Sequence, residues 1–142
     1  MQGISLHRIV YYLTLLRRNN LKGVIYTVPA SYEGGKQMHI TSYLENGRLT
    51  VALTGEIDHH CAKEYIKTIA GKIEAYDPEC CILDFQEVSF IDSSGIAVVI
   101  NALRAMTQIG GTLSLTGITS QPMRVFRASG IDKLVTIKEA VK

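Results

Sequence analysis

The apolar positions of this chain change period several times, and each change marks an element. His39–Leu44 and Leu49–Thr54 are strand-like runs flanking Glu45-Asn46-Gly47-Arg48. Asn-Gly predicts a tight hairpin because both positions tolerate positive φ. Asp58 then precedes a helical pattern in which Ala62, Tyr65, Ile66, Ile69 and Ile73 recur at three- and four-residue spacing, marking one buried face. Asp77-Pro78 predicts its stop. Cys80–Phe85 is a short, nearly continuous apolar run, as expected of a strand covered on both faces or by a helix layer. Helical spacing returns with Ile96, Val99, Ile100, Leu103 and Met106, and Gly110-Gly111 ends it. Thr112–Thr116 reads as a strand. Ser120 reads as the N-cap of a helix with Pro122 near its first turn and Ser129-Gly130 at its close, and Leu134–Ile137 as a last, edge strand.

The resulting order, β-β-α-β-α-β-α-β, predicts a single α/β domain. Its sheet is mixed and mostly parallel, with four or five strands, an opening β-hairpin, right-handed crossovers and three or more helices. The loop carrying Asp58 and the loop carrying Ser93 both leave strand carboxyl ends. In a parallel pair those ends share one edge, where sites of α/β proteins lie. Two segments more than thirty residues apart in sequence are therefore expected to meet.

A chain of 142 residues holds one ordinary core. Its formal net charge of +2 is unevenly spread. Residues 1–37 carry five Lys/Arg against one acid, whereas the other 105 carry ten Lys/Arg against twelve Asp/Glu. The globular part is mildly acidic, which argues against a nucleic-acid surface. Cys61, Cys80 and Cys81 have no CxxC or His/Cys metal spacing. Neighbouring strand residues face opposite ways, so all three read as reduced, half-buried thiols of a cytoplasmic protein.

The lipid-like run Ile9–Leu16 is too short to span a bilayer, and Arg17-Arg18 follow it instead of preceding it, against a secretion signal. An amphipathic helix for a membrane or a partner is an alternative. Glu33-Gly34-Gly35-Lys36-Gln37-Met38 is what a purine-rich ribosome-binding track followed by ATG yields when translated in frame. Residues 1–37 are accordingly read as an N-terminal extension, a translated leader or a disordered segment, and 38–142 as the domain.

Candidate chemistry centres on Phe90–Ile100, FIDSSGIAVVI. A serine hydrolase would want a GxSxG elbow and a base. Here the leading glycine is missing, and nothing fixes His59 or His60 near Ser93. Asp58, His59 and His60 do not have the spacing of a metal site, and Gly110-Gly111 closes a helix instead of cradling phosphate. Two readings of Asp92-Ser93 remain at this point. Either residue can simply cap the helix, worth about 1 kcal/mol. Alternatively, Ser93 accepts a phosphate, whose charge of about −1.5 to −2 suits a helix start. That charge would add to Asp92 and Asp58 and so remove a binding mode for an acidic partner.

Leu53-Thr54-Gly55-Glu56-Ile57-Asp58-His59-His60 and the helix after it resemble the anti-sigma factor antagonists of sporulating bacteria, a branch of the STAS domain family. Phe90-Ile91-Asp92-Ser93-Ser94-Gly95-Ile96 resembles that family's phosphorylation loop, and Ile109–Gly111 with Arg124–Gly130 its C-terminal half. The resemblance covers about residues 38–138 and is nearest to the sporulation-type antagonist. It implies a STAS fold and a binding protein with no catalytic residues of its own. Its partner would be an anti-sigma factor that is also a serine kinase, with a PP2C-type phosphatase resetting the switch. No cofactor is implied beyond the ATP and Mg²⁺ used by that kinase. By the resemblance Ser93 accepts the phosphate, while Asp58, Asp92, Ser94, Gly95 and Ile96 contact the partner or shape the loop. Ala97 stands where the family often has glycine. No direct nucleic-acid or membrane contact is expected, and the setting is sporulation or stress response. The alternative is a non-switching STAS scaffold or a nucleotide- or ligand-sensing module.

Overall fold

A computed structural model describes residues 24–31 and 37–140. The strands are β1 (Val24–Ser31), β2 (Gln37–Glu45), β3 (Arg48–Ile57), β4 (Cys80–Ile91), β5 (Thr112–Ile118) and β6 (Thr136–Glu139). The helices are α1 (Ala62–Tyr76), α2 (Ser93–Gln108) and α3 (Ser120–Ser129), with a short 3₁₀ turn at Ile131–Lys133. The six strands lie side by side in chain order. β1–β2 and β2–β3 are antiparallel, and β3–β4, β4–β5 and β5–β6 are parallel.

Chain order has a consequence. Each parallel connection steps to the next strand in the same direction, so right-handed crossovers stack all three helices on one face. The burial pattern agrees: Leu49, Val51, Leu53, Cys81, Leu83 and Phe85 are buried, while Thr50, Ala52, Ile82 and Asp84 between them are only half-buried. The core lies between the covered face and Tyr65, Ile69 and Ile73 of α1, Val98, Val99, Ala102 and Met106 of α2, and Met123 and Phe126 of α3. Each large apolar side chain so buried contributes about 1.5–3 kcal/mol. Phe85 and Phe126 meet edge to face with centroids 5.4 Å apart. Burial pushes the Cys81 thiol up to about 12, so it stays protonated. The three cysteines are free thiols, Cys61 and Cys81 buried and Cys80 half-buried.

The hairpin turn forms as expected, with Asn46 at φ 50° and Gly47 at φ 77°. Asp77 takes the left-handed conformation that ends α1, and Gly130 does the same for α3. Four expectations are extended or corrected. First, the expected mixed sheet forms as the five strands β2–β6, and Val24–Ser31 adds a sixth by pairing with β2; its β-branched and aromatic VIYTV suits a strand. That strand falls within the segment read as an extension. Residues 1–23 and 32–36, including the Ile9–Leu16 run and Glu33–Lys36, lie outside the described residues. Second, β4 runs six residues past Phe85, to Ile91. Third, Thr119, not Ser120, precedes the first turn of α3 as its N-cap. Fourth, the last strand is Thr136–Glu139, after the 3₁₀ turn.

The length of β4 explains its concealment in the sequence. Two register shifts interrupt its pairing with β3, between Ala52/Thr54 and Gly55/Glu56. Each inserts an extra residue into β4, so its buried positions step from Phe85 to Val88 to Ile91 by threes instead of twos. A strand with that spacing does not alternate. Among the described residues, no helix is long and apolar enough to cross a membrane.

Candidate functional site

The bulges deliver the ends of β3 and β4 together. Ile57 and Ile91 are register partners, and the Asp92 N–H donates to the Ile57 carbonyl at 3.2 Å, extending the pairing past the last buried side chains. Adjacent strands lie about 5 Å apart, so Asp58 and Asp92 emerge side by side. The two loops expected to meet at one sheet edge do meet.

Asp92 is the N-cap of α2, its carboxylate accepting from the Ser94 N–H at 2.7 Å. The cap is thus the aspartate and not the serine. Ser93 becomes the first helical residue, and its side chain is exposed. Its hydroxyl makes no hydrogen bond among the described residues. Ser94 is half-buried, and Ile96 packs at the rim of the core. Gly95 is buried and faces inward: a Cβ there would lie 2.8 Å from the Ile91 Cβ. Only glycine lets the first turn of α2 press against the end of β4. Gly95 therefore serves the packing of the loop and presents nothing to the open edge.

Asp58 is held differently. Its carboxylate accepts from the His60 N–H at 3.0 Å and the Cys61 N–H at 3.3 Å, and its carbonyl from the Ala62 N–H at 2.9 Å. Beneath this turn lies the buried Cys61 thiol, 3.3 Å from the Glu56 carbonyl and 3.5 Å from Asp58 Oδ1. Burial, with Asp58 beside it, pushes this thiol up, so it is a neutral donor to the turn. His59 and His60 are exposed, with their rings 3.9 Å apart. Among the described residues no group of three or more His, Cys, Asp or Glu could hold a metal ion.

Acidic residues gather at this edge. No Lys or Arg occurs between Lys72 and Arg104, while Glu87 and Asp92 lie in that stretch and Glu56 and Asp58 stand opposite. Phe90, the register partner of Glu56, is 41% exposed.

Two residues at this edge escaped the sequence reading. Cys61 supports the Asp58 turn, and Gln121 in the first turn of α3 bonds both backbone groups of Ile91. Neither carries a local signal. Each acts through contacts set by folding.

Three known proteins give the context. An anti-sigma F factor antagonist of Paenibacillus polymyxa is 29% identical over 91 residues, 64% of this chain and 78% of that protein. An anti-sigma-B factor antagonist of Listeria monocytogenes is 27% identical over 97 residues, 66% of this chain and 82% of that protein. The phosphorylated form of the Bacillus cell-fate determinant SpoIIAA shares the fold with a TM-score of 0.53 at 21% identity, over 80% of this chain and 90% of that one. The STAS domain family matches residues 39–142, which include both loops of the shared edge and every element from β3 to β6; the chain belongs to that family.

Proposed function

We propose that this protein is an anti-sigma factor antagonist switched by phosphorylation of Ser93. Unphosphorylated, it binds an anti-sigma factor that is also a serine kinase, and so releases the sigma factor. The kinase uses ATP and Mg²⁺: the Ser93 Oγ–P bond forms as the bond between the γ-phosphorus and the β–γ bridging oxygen breaks, ADP leaves, and the serine proton passes to a base of the kinase. A PP2C-type phosphatase then resets the switch. The protein is itself no enzyme, takes no cofactor and works in the cytoplasm.

One observation carries the reading: the Ser93 hydroxyl is exposed at the first residue of α2, on the same edge as Asp58. A phosphate there adds about −1.5 to −2 charges to an edge that already holds Asp58, Asp92, Glu56 and Glu87. No Lys or Arg occurs between Lys72 and Arg104 to offset it. The helix N-terminus favours the modified form locally, but a docked acidic or closely packed surface is repelled. Release then needs no refolding, only new charge and bulk at the interface. The antagonists of the F and B factors among the relatives, and the phosphorylated SpoIIAA of the same fold, support this reading. Asp58, Asp92, Ser94 and Ile96 are proposed to form the contact surface around Ser93.

The test is phosphosite mapping by mass spectrometry after incubation with the cognate anti-sigma kinase and ATP. Label is expected on Ser93. Ser93→Ala is expected to abolish phosphorylation while keeping anti-sigma binding, and Ser93→Glu to weaken binding by tenfold or more. Unchanged labelling of Ser93→Ala, with Ser94→Ala inert, would overturn the assignment.

A further inference from the structure

Strand β4 outlives its partner. Its pairing with β5 ends at Asp84↔Thr116, although the next residues of β5 still lie against it. Gly117 takes φ 70°, where a Cβ would lie 2.8 Å from Asp84 Oδ1 and 2.9 Å from the Gln86 nitrogen. The rest of β4, up to Ile91, still has backbone groups on that side. Alternate residues of a strand point their N–H and C=O to opposite neighbours, and those of Ile91 point away from β3. Buried backbone groups need partners.

Side chains from the start of α3 supply them. The Thr119 hydroxyl donates to the Val88 carbonyl at 3.2 Å. The Gln121 amide Oε1 accepts from the Ile91 N–H at 2.9 Å, and its Nε2 donates to the Ile91 carbonyl at 2.9 Å. A primary amide has the same donor–acceptor pair as a peptide group, so Gln121 replaces one residue of the missing strand. The orientation of the amide follows, because only one placement of O and N satisfies both Ile91 groups.

We propose that Gln121 is a positioning residue for the Ser93 switch, clamping Ile91 so that Asp92 and Ser93 are held in one conformation for the partner kinase. Ile91 precedes the N-cap directly. It is gripped by β3 through its neighbour Asp92, by Gly95 against its side chain, and by Gln121 through its own backbone. Of these three grips, only the last comes from outside the two units that form the edge. The clamp stands on geometry alone, while its role in the switch rests on the function proposed above. A loop already ordered costs less to dock, so the effect belongs in binding of the protein as substrate and not in the transfer step.

The experiment compares wild type with Gln121→Met, which keeps length without hydrogen bonds, and Gln121→Glu. A protonated glutamic acid presents one donor and one acceptor like the amide. Ionised, it has no donor and sets a charge against the Ile91 carbonyl, which raises its pKa above the ordinary glutamate range. Amide-exchange protection of Ile91, relative to Leu83 in the same strand, is read by NMR. Phosphorylation of Ser93 by the cognate kinase with ATP and Mg²⁺ is resolved into KM and kcat. Gln121→Met is expected to lower Ile91 protection by about five- to thirtyfold and to raise KM by about tenfold with kcat within about twofold. Gln121→Glu should keep the Ile91 N–H bonded at every pH, because both forms of the carboxyl accept, and should lose the bond to the Ile91 carbonyl as it ionises, read as a pH-dependent carbonyl ¹³C shift of Ile91. Unchanged Ile91 protection in Gln121→Met, or an Ile91 carbonyl shift in Gln121→Glu that ignores pH, would overturn the clamp. Lost protection with KM unchanged would overturn the positioning role. Failure of the wild-type protein to take phosphate on Ser93 would instead reject the parent reading, before any variant is compared.

Discussion

Ile57-Asp58 and Ile91-Asp92 are register partners at one sheet edge, each a buried isoleucine followed by an aspartate whose carboxylate accepts an N–H two residues on. From that common start the β3–α1 and β4–α2 units diverge. After Asp58 the chain spends His59, His60 and Cys61 on a turn before α1 begins at Ala62. After Asp92 it enters α2 at once, because Gly95 lets the first turn lie against Ile91. The same opening dipeptide thus yields a supported turn in one unit and a hydroxyl at the first helical position in the other. A single glycine decides which. The helices differ too: the buried stripe of α1 includes Lys72, whereas that of α2 is Gly95, Val98, Val99, Ala102 and Met106, with no charge.

The sharpest way to break this contrast is to remove the glycine. Gly95→Val places carbon where the Ile91 side chain already sits, and is expected to cost about 3 kcal/mol by overpacking, read as the midpoint of urea unfolding. Gly95→Ala should follow the same direction with a smaller loss. A wild-type midpoint for both would show that α2 can start at Ser93 without close contact.

Lys72 tests the difference between the helices. It is 4% exposed, its ammonium donates to Ser42 Oγ at 2.9 Å, and burial pushes it down to about 8 from 10.5. Between those values the unfolded chain binds more protons than the folded one, so this group makes stability rise with pH across that window. Below about pH 8 both states are protonated, and the cost of burying the charge is felt in full. Lys72→Met with Ser42→Ala is therefore expected to gain about 2 kcal/mol at pH 7. Denaturation at pH 7 and at pH 9.5 should show that advantage shrinking as pH rises. A constant difference would mean that the ammonium is not desolvated.

The smallest effects compare the two aspartates. Asp92→Ala removes a helix cap and should cost about 1 kcal/mol. Asp58→Ala removes bonds to a turn ahead of its helix, where the exposed His60 N–H can turn to water, and should cost about 0.5 kcal/mol. Thermal unfolding of the two variants side by side checks the order. Equal losses would show that both aspartates act as the same kind of cap.

Much of this fold was legible in the residue pattern. The hairpin at Asn46-Gly47, the three helices, their stops at Asp77 and Gly130, and the edge shared by Asp58 and Ser93 all follow from local spacing and turn chemistry. These rest on short-range physics: which φ a residue tolerates, and which side of a helix or strand it presents. What only tertiary structure decided lies where that physics gives way to distant neighbours. The end of β4 was hidden because its bulges turn a period of two into one of three, and a bulge exists only against a partner strand. The Gln121 amide on Ile91, thirty residues away in sequence, is likewise a bond between a side chain and a backbone that folding alone brings within reach. Periodicity records how each residue meets the core; it carries no record of which backbone a polar side chain will complete.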